Sequence, residues 1–424
     1  MTKDELKTQA SELVDAAWMY GHAEGANEAA EVYEKKLAEK QKEVEAAYKK
    51  GKEEGFKEGH SAALENAGLT NPTEDEVEPQ PTPEPVEEIC IEHKDVTGFM
   101  ADQTYYKEGF GTSTGKSVVD NYIKNAVEGS KPSPTEQPAP ICVQPGTKFY
   151  EEPGTEASYV HVTEDGQAVN FIPGKTYRAV APTGEERKFK TTGTVRMIWT
   201  APIKPYVVNL RDVGGYKCEG GHIAYGKLIR SAFLPKEMTA DSENAKILTK
   251  LGVTQEISVA SEYPARNYLG WPKAYTYSGV SCYTYLFTKI TNIKAVINRI
   301  VSEAKTGMTL LHCHAGADRT GSIVALILGV CGVSEGDIIK DWEFTSFSCW
   351  FNRKRISDWE NRPELQKESP EGELRQLLKK LKSTYGTKGQ TLQQQCESYL
   401  TKKLAMTADQ IDNIKKAFIA KDPE

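Results

Sequence analysis

His312-Cys313-His314-Ala315-Gly316-Ala317-Asp318-Arg319-Thr320-Gly321 is the stretch on which the reading of this chain turns. A cysteine and an arginine stand six positions apart, with glycine and small residues between them. Before them, Met308-Thr309-Leu310-Leu311 predicts a short buried strand. After them, Ser322-Ile323-Val324-Ala325-Leu326-Ile327-Leu328-Gly329 predicts a buried helix. A strand, a tight loop and a helix start together aim backbone N–H groups at an anion. With a thiol at the loop entrance and a guanidinium at its exit, the fitting guest is a phosphate monoester, attacked at phosphorus by a thiolate.

Each residue type has a reason to be there. Only the thiolate is a good nucleophile, and its pKa falls near a helix N-terminus or a positive charge. Cys313 is expected to have both. Arg319 binds two phosphate oxygens at once in a geometry lysine lacks. The N–H groups from His314 to Arg319, those of Ala315, Gly316, Ala317 and Asp318 among them, are expected to wrap the remaining oxygens and to stabilise the charge that develops there. Thr320 is expected to hydrogen-bond the sulfur. Asp318 protonates the leaving oxygen if its side chain faces the substrate. His312 is expected to organise the loop by hydrogen bonding to backbone. Metal binding is disfavoured: His312, Cys313 and His314 are adjacent, neighbouring side chains on an extended segment point to opposite faces, and no second Cys/His cluster completes a tetrahedral set. No cofactor is expected.

These residues resemble the Cys-x5-Arg signature of protein tyrosine phosphatases, and within them a bacterial branch whose loop reads His-Cys-x-Ala-Gly-(Lys/Ala)-Asp-Arg-Thr-Gly. Asn209-Leu210-Arg211-Asp212-Val213-Gly214-Gly215-Tyr216 is similar to a second motif of that branch, and Gly226-Lys227-Leu228-Ile229-Arg230-Ser231 to the stretch that follows it. Gly332-Val333-Ser334 and the run from Asp341 to Ser348 resemble its helices after the loop. The resemblance covers residues 195–424. It implies an α/β domain with a central sheet, a cysteinyl-phosphate mechanism without metal, and Asp318 as general acid. Two departures stand out. Some relatives carry a lysine, linked to phosphoinositide preference, where this chain has Ala317. Many carry an Asp-Leu-Arg run near Ser258-Val259-Ala260, where this chain has neither the acid nor the base.

Arg211 and Asp212 are read as an ion pair holding the turn at Gly214-Gly215, against direct contact with substrate. Arg230, after a predicted strand, stands open between phosphate binding and a structural role. It is grouped with the substrate-binding residues.

The 424 residues suffice for two or three domains. A net charge of −7 argues against a nucleic-acid binder. No stretch is long and apolar enough to span a membrane. The N-terminus lacks the apolar core of a signal peptide, and a thiol nucleophile needs a reduced state, so a cytoplasmic location is expected, alone or within a particle.

The expected organisation is multidomain. Residues 1–70 form a helical, coiled-coil-like arm: Leu6, Ala10, Leu13, Val14, Ala17 and Trp18 recur at helical spacing. That stripe is too thin to bury alone and asks for a partner helix. Gly51, Gly55 and Gly59 form a ladder, which suits close helix crossing, because each glycine costs a helix about 1 kcal/mol. A homo-oligomer through residues 1–70 follows. Residues 71–140 read as proline- and acid-rich linkers around a small unassigned segment. In 141–204, runs at 159–162, 168–171, 175–180 and 195–199 alternate in the period-2 manner of strands. They suggest a small β-sandwich, similar to the immunoglobulin-like domain that precedes the phosphatase domain in some relatives. Residues 205–424 alternate strands and helices, as in an α/β domain.

Two functional readings follow. The first is a phosphomonoester hydrolase acting on a phosphorylated protein or a small phosphomonoester, with phosphotyrosine ahead of phosphoinositides and inositol phosphates. The second is a structural or adhesive multimer, such as a virion or surface appendage, with a phosphatase-like binding head. A truncation beginning near 141 is expected to keep activity and lose assembly.

Overall fold

A computed structural model describes residues 86–102, 132–280, 289–348 and 373–422. The helical arm over 1–70, its glycine ladder and its self-association lie outside the described residues.

The C-terminal sheet is built from β9 (Arg211–Asp212), β12 (Leu228–Ser231), β13 (Val253–Ser258), β14 (Lys273–Thr276) and β15 (Met308–His312). Its order is β14-β13-β15-β12-β9. The four strands β12 to β15 run parallel, and β9 closes one edge antiparallel. Parallel strands buried on both faces read as nearly continuous apolar runs, which is why Met308-Thr309-Leu310-Leu311 sits at the centre. Neighbouring residues feed opposite layers. Leu228 and Leu311 enter one apolar core, and Ile229 and Leu310 enter the other.

The larger core receives α3 (Ile290–Glu303), α4 (Asp318–Val330), α5 (Glu335–Glu343), α6 (Glu373–Tyr385), α7 (Leu392–Lys402) and α8 (Ala408–Phe418), after α1 and α2. Helix α2 (Glu243–Lys250) packs into the smaller core on the other face through Ala245, Ile247 and Leu248. Helix α4 is buried from Thr320 to Val330, as expected of a helix that is apolar all round. Helix α8 runs directly into the two-residue strand β16 (Ile419–Ala420). The small strands β10 (Lys217–Cys218) and β11 (Gly221–Ile223) pair with β16, so the C-terminus is tied back to the segment after the Gly214-Gly215 turn.

The residues before 205 form two further sheets. One has the order β1-β8-β7-β3-β4, from β1 (Glu87–Cys90), β3 (Lys148–Glu151), β4 (Thr155–Glu156), β7 (Thr176–Val180) and β8 (Glu186–Thr192). The other is β2 (Ile141–Cys142), β6 (Gln167–Val169) and β5 (His161–Val162), in the order β2-β6-β5. Both contribute to one core around Ile141, Phe149, Ala168, Phe171, Tyr177 and Phe189. The run 195–199 is not a strand: Met197 makes a single antiparallel bridge to Arg211. Its alternation has another cause, because Val195 and Met197 enter the larger core of the C-terminal domain and Ile198 the smaller.

The segment read as linker is built in on both sides. Strand β1 adds to β8 in parallel. Helix α1 (Lys94–Ala101) then buries Val96 and Phe99 in the larger core of the C-terminal domain. Phe99 packs on Phe344 and Phe347 at ring-centroid distances of 5.6 and 5.3 Å. Buried Lys340 donates to the carbonyls of Phe99, Met100 and Asp102 at 2.6 to 2.9 Å, which satisfies the open C-terminal end of α1. Buried Glu92 accepts from the backbone N–H groups of Thr194 and Val195. Farther on, Ser133-Pro134-Thr135-Glu136 forms a capped 3₁₀ turn whose Ser133 hydroxyl donates to Phe347 O at 2.6 Å. Composition read the stretch 130–140 as an extended linker, and the capped turn with its buried Glu136 carboxylate overrides that reading there; Phe99 and Glu92 lie in the stretch that composition left unassigned. Among the described residues no helix is long and apolar enough to cross a membrane.

Candidate active site

The loop leaves the central strand β15 at His312 and enters α4 at Asp318. Its shape is set from beneath. The His314 carbonyl accepts from Phe233 N at 2.9 Å. The Ala315 carbonyl accepts from Asn209 Nδ2 at 2.8 Å. The Gly316 and Ala317 carbonyls accept from Arg230 Nη2 at 2.6 and 3.3 Å, and Ala317 O also accepts from Gly321 N at 2.8 Å. In a planar trans peptide the N–H points opposite to the C=O. Four tied carbonyls therefore turn the amides of Ala315, Gly316, Ala317 and Asp318 away from the supporting layer. Gly316 adopts φ +68°, and a Cβ there would lie 2.1 Å from Ser231 O, so the loop rests on the end of β12 at a distance only glycine allows.

The supporting layer is a buried charge network. Arg230, on β12, and Arg211, on β9, are both fully or nearly fully buried and share Asp341 of α5. Arg211 Nε donates to Asp341 Oδ1 at 3.1 Å, its Nη2 to Asp341 O at 2.6 Å and its Nη1 to Asn209 Oδ1 at 2.6 Å. Arg230 Nη1 donates to Asp341 Oδ2, and Tyr216 OH to Oδ1 at 3.2 Å. Burial alone would raise the Asp341 carboxyl; the charges of Arg230 and Arg211 and the hydrogen bonds of Arg211 and Tyr216 outweigh it and hold the group below its usual range. Burial pulls the Arg230 guanidinium down to about 10, which leaves it charged at neutral pH.

Arg230 thus lies behind the loop and holds two of its carbonyls, which answers the question its sequence position left open. The pairing expected between Arg211 and Asp212 is not made. The two residues are adjacent on β9 and point to opposite sides. Asp212 pairs instead with Arg196 at 3.3 Å and accepts from Gly214 N and Gly226 N at 2.9 and 2.8 Å, so it still holds the glycine turn. Burial pushes its carboxyl up, against Arg196 and the two amides.

Cys313 is 2 % exposed, directly after the strand end. His312 Nε2 lies 2.9 Å from Glu256 Oε1, with its Nδ1 at 3.4 Å from Cys313 O, so a carboxylate on β13 is its nearer partner rather than the backbone alone. Glu256 in turn accepts from Arg266 N at 2.9 Å. Arg319 Nη2 donates to Glu262 Oε1 at 2.6 Å, and that hydrogen bond holds the Glu262 carboxyl below its usual range. Asp318 is the first residue of α4 and is half-buried. Thr320 Oγ1 is buried and has no hydrogen-bond partner among the described residues. Ser258 Oγ accepts from Ala260 N at 3.2 Å and donates to Tyr263 O at 2.6 Å, so the turn after β13 is held by neutral groups.

Three rings gather beside the loop. Phe233 and Tyr263 stack at 4.0 Å between centroids, and Tyr263 and His314 at 5.0 Å. All three are half-buried. Among the described residues no group of three or more His, Cys, Asp or Glu side chains is arranged to hold a metal ion.

Sequence reasoning did not single out Asn209, Glu256, Glu262 or Asp341. Glu256 carried a signal: it is a charged residue inside the strand Val253–Ser258. Asn209 carried another, as the first residue of its motif; it takes φ +55°. Asp341 gave none, because its partners lie more than 100 residues away.

No curated protein matches the chain. Residues 260–420, which run from just after β13 through the Cys313–Arg319 loop to β16, match the family model described as tyrosine phosphatase family.

Proposed function

We propose that the chain is a phosphomonoester hydrolase that works through a cysteinyl-phosphate intermediate. The observation that carries the proposal is the set of four tied carbonyls from His314 to Ala317, which leaves the opposing amides for an anion at the N-terminus of α4. In this reading the Cys313 thiolate attacks phosphorus as the ester P–O bond breaks. Asp318 gives its proton to the leaving oxygen. Arg319 and the loop amides hold the oxygens of the transferring phosphoryl group. A water then attacks phosphorus and gives a proton to the Asp318 carboxylate. The S–P bond breaks, and inorganic phosphate and the thiolate are released. The Thr320 hydroxyl, buried without another partner among the described residues, donates to the sulfur. His312 and Glu256 fix the strand end from which Cys313 projects.

Phosphotyrosine is the leading substrate class, and the rings of Phe233, Tyr263 and His314 favour an aryl ester. Phosphoinositides and inositol phosphates come second, since Ala317 supplies no extra cation.

The test is hydrolysis of a small aryl phosphate in reductant and chelator, beside Cys313→Ser. The proposal expects turnover that survives the chelator and falls on the order of 10⁴-fold or more in the variant. An inactive wild type, or a variant as active as the wild type, would sink it.

A further inference from the structure

We infer that Glu136, from the proline-rich segment outside the family-matched region, is a positioning residue for the active-site loop. The inference rests on the hydrolase reading above. Glu136 is 4 % exposed and accepts two backbone hydrogen bonds. Its Oε1 takes Ser133 N at 2.8 Å and its Oε2 takes Asn209 N at 2.9 Å. Asn209 is the residue whose Nδ2 holds Ala315 O at 2.8 Å and also reaches Thr345 Oγ1 at 3.3 Å. Its φ of +55° is a conformation that residues other than glycine rarely adopt without local support. Glu136 supplies that support at the backbone, and the Arg211 hydrogen bond supplies it at the side chain. One carboxylate therefore stands a single residue away from a loop carbonyl whose orientation sets an anion-binding amide.

The chemistry of the residue fits this task. Two N–H donors converge on it, so both oxygens must accept. A glutamine offers one acceptor and an NH₂ that would face an N–H. The Ser133–Glu136 turn is itself fixed, by its reciprocal cap and by the Ser133 hydroxyl on Phe347 O.

Glu92 provides a control. It is buried, comes from the same N-terminal region and accepts from Thr194 N, Val195 N and Thr97 Oγ1, and none of these hydrogen bonds among the described residues reaches Asn209 or the loop. In the full chain, kcat and KM for an aryl phosphate and the Kd for orthovanadate are measured for wild type, Glu136→Gln, Ser133→Ala and Glu92→Gln, below their melting temperatures. Glu136→Gln is expected to lower kcat and weaken vanadate about tenfold, because small misplacements of preorganised donors are costly, while KM moves less than about twofold. Ser133→Ala, which keeps the carboxylate but loosens its turn, is expected to show a smaller loss in the same direction. It also carries the test if Glu136→Gln does not fold. Glu92→Gln is expected to lower the melting temperature with kcat unchanged. The inference is overturned if Glu136→Gln matches wild type in kcat and vanadate affinity, or if Glu92→Gln loses as much. A wild type that binds vanadate without hydrolysing esters would defeat the hydrolase reading and leave the vanadate comparison to decide on Glu136. A wild type that binds no vanadate would overturn both.

Discussion

The loop from His312 to Gly321 and the segment from Glu87 to Pro140 make an instructive pair. The loop is short, apolar-flanked and chemically dense, and its reading needed only its own residues. Composition reads the segment as linker and unassigned chain, yet it supplies a strand, a buried helix and two buried carboxylates to the domain that carries the loop. Composition reports what a segment is on average. Packing is decided by a few residues, and here Phe99, Glu92 and Glu136 tie the segment down. A support layer gathered from distant parts of the chain and a contiguous loop are equally necessary to the same geometry.

That comparison can be broken most sharply at Phe99. It is fully buried against Phe344 and Phe347, so Phe99→Ala is expected to cost about 3–5 kcal/mol of stability, read by denaturant unfolding. A loss under about 1 kcal/mol would mean that α1 is a passenger. The support layer comes next. Asp341→Asn leaves Arg211 and Arg230 buried with one fewer charge between them, and about 3 kcal/mol is expected to go. The pH dependence has a definite sign. A carboxyl held low in the folded state contributes stability above the ordinary carboxylate pKa, and loses it as pH falls through the lowered value. The gap between wild type and Asp341→Asn should therefore be full near neutrality and close as the solution becomes strongly acidic. A gap that widens in acid would contradict the assignment.

Within the loop, Gly316→Ala forces a Cβ toward Ser231 O in a left-handed backbone, with an expected stability loss of about 1–3 kcal/mol and weaker phosphate binding by calorimetry. Unchanged phosphate affinity would show that the loop does not need its close seat on β12. The smallest effect is expected at Glu262, whose side chain is 47 % exposed. Glu262→Gln should change stability by no more than about 1 kcal/mol, since exposed ion pairs contribute little. Its effect on aryl phosphate hydrolysis then reports how far the carboxylate orients Arg319.

Much of the site was legible because its central residues are contiguous and their chemistry is local. The strand at Met308–His312, the helix from Asp318 and the glycine between them follow from polarity and spacing alone. The supporting residues were hidden for a different reason. Asp341, Asn209 and Glu256 act through partners brought together by the sheet order, and no local pattern encodes that order. Strand β8 was missed because its exposed positions are charged and only Phe189 and Thr191 are buried. The run 195–199 was read as a strand because its alternation is real, but it sorts side chains between two cores rather than across a ladder. The turn at Ser133 to Glu136 did carry a signature, serine followed three residues later by glutamate, inside a stretch dismissed for its prolines.

The most direct measurement compares two shortened chains, one beginning at Pro85 and one at Ile141, by thermal unfolding and aryl phosphate hydrolysis. The chain from Pro85 retains every contact described above. The account predicts that it melts and turns over like the full chain, while the chain from Ile141, stripped of Phe99, Glu92 and Glu136, melts well below it and loses most of its activity. A chain from Ile141 with the stability and activity of the full protein would contradict the account.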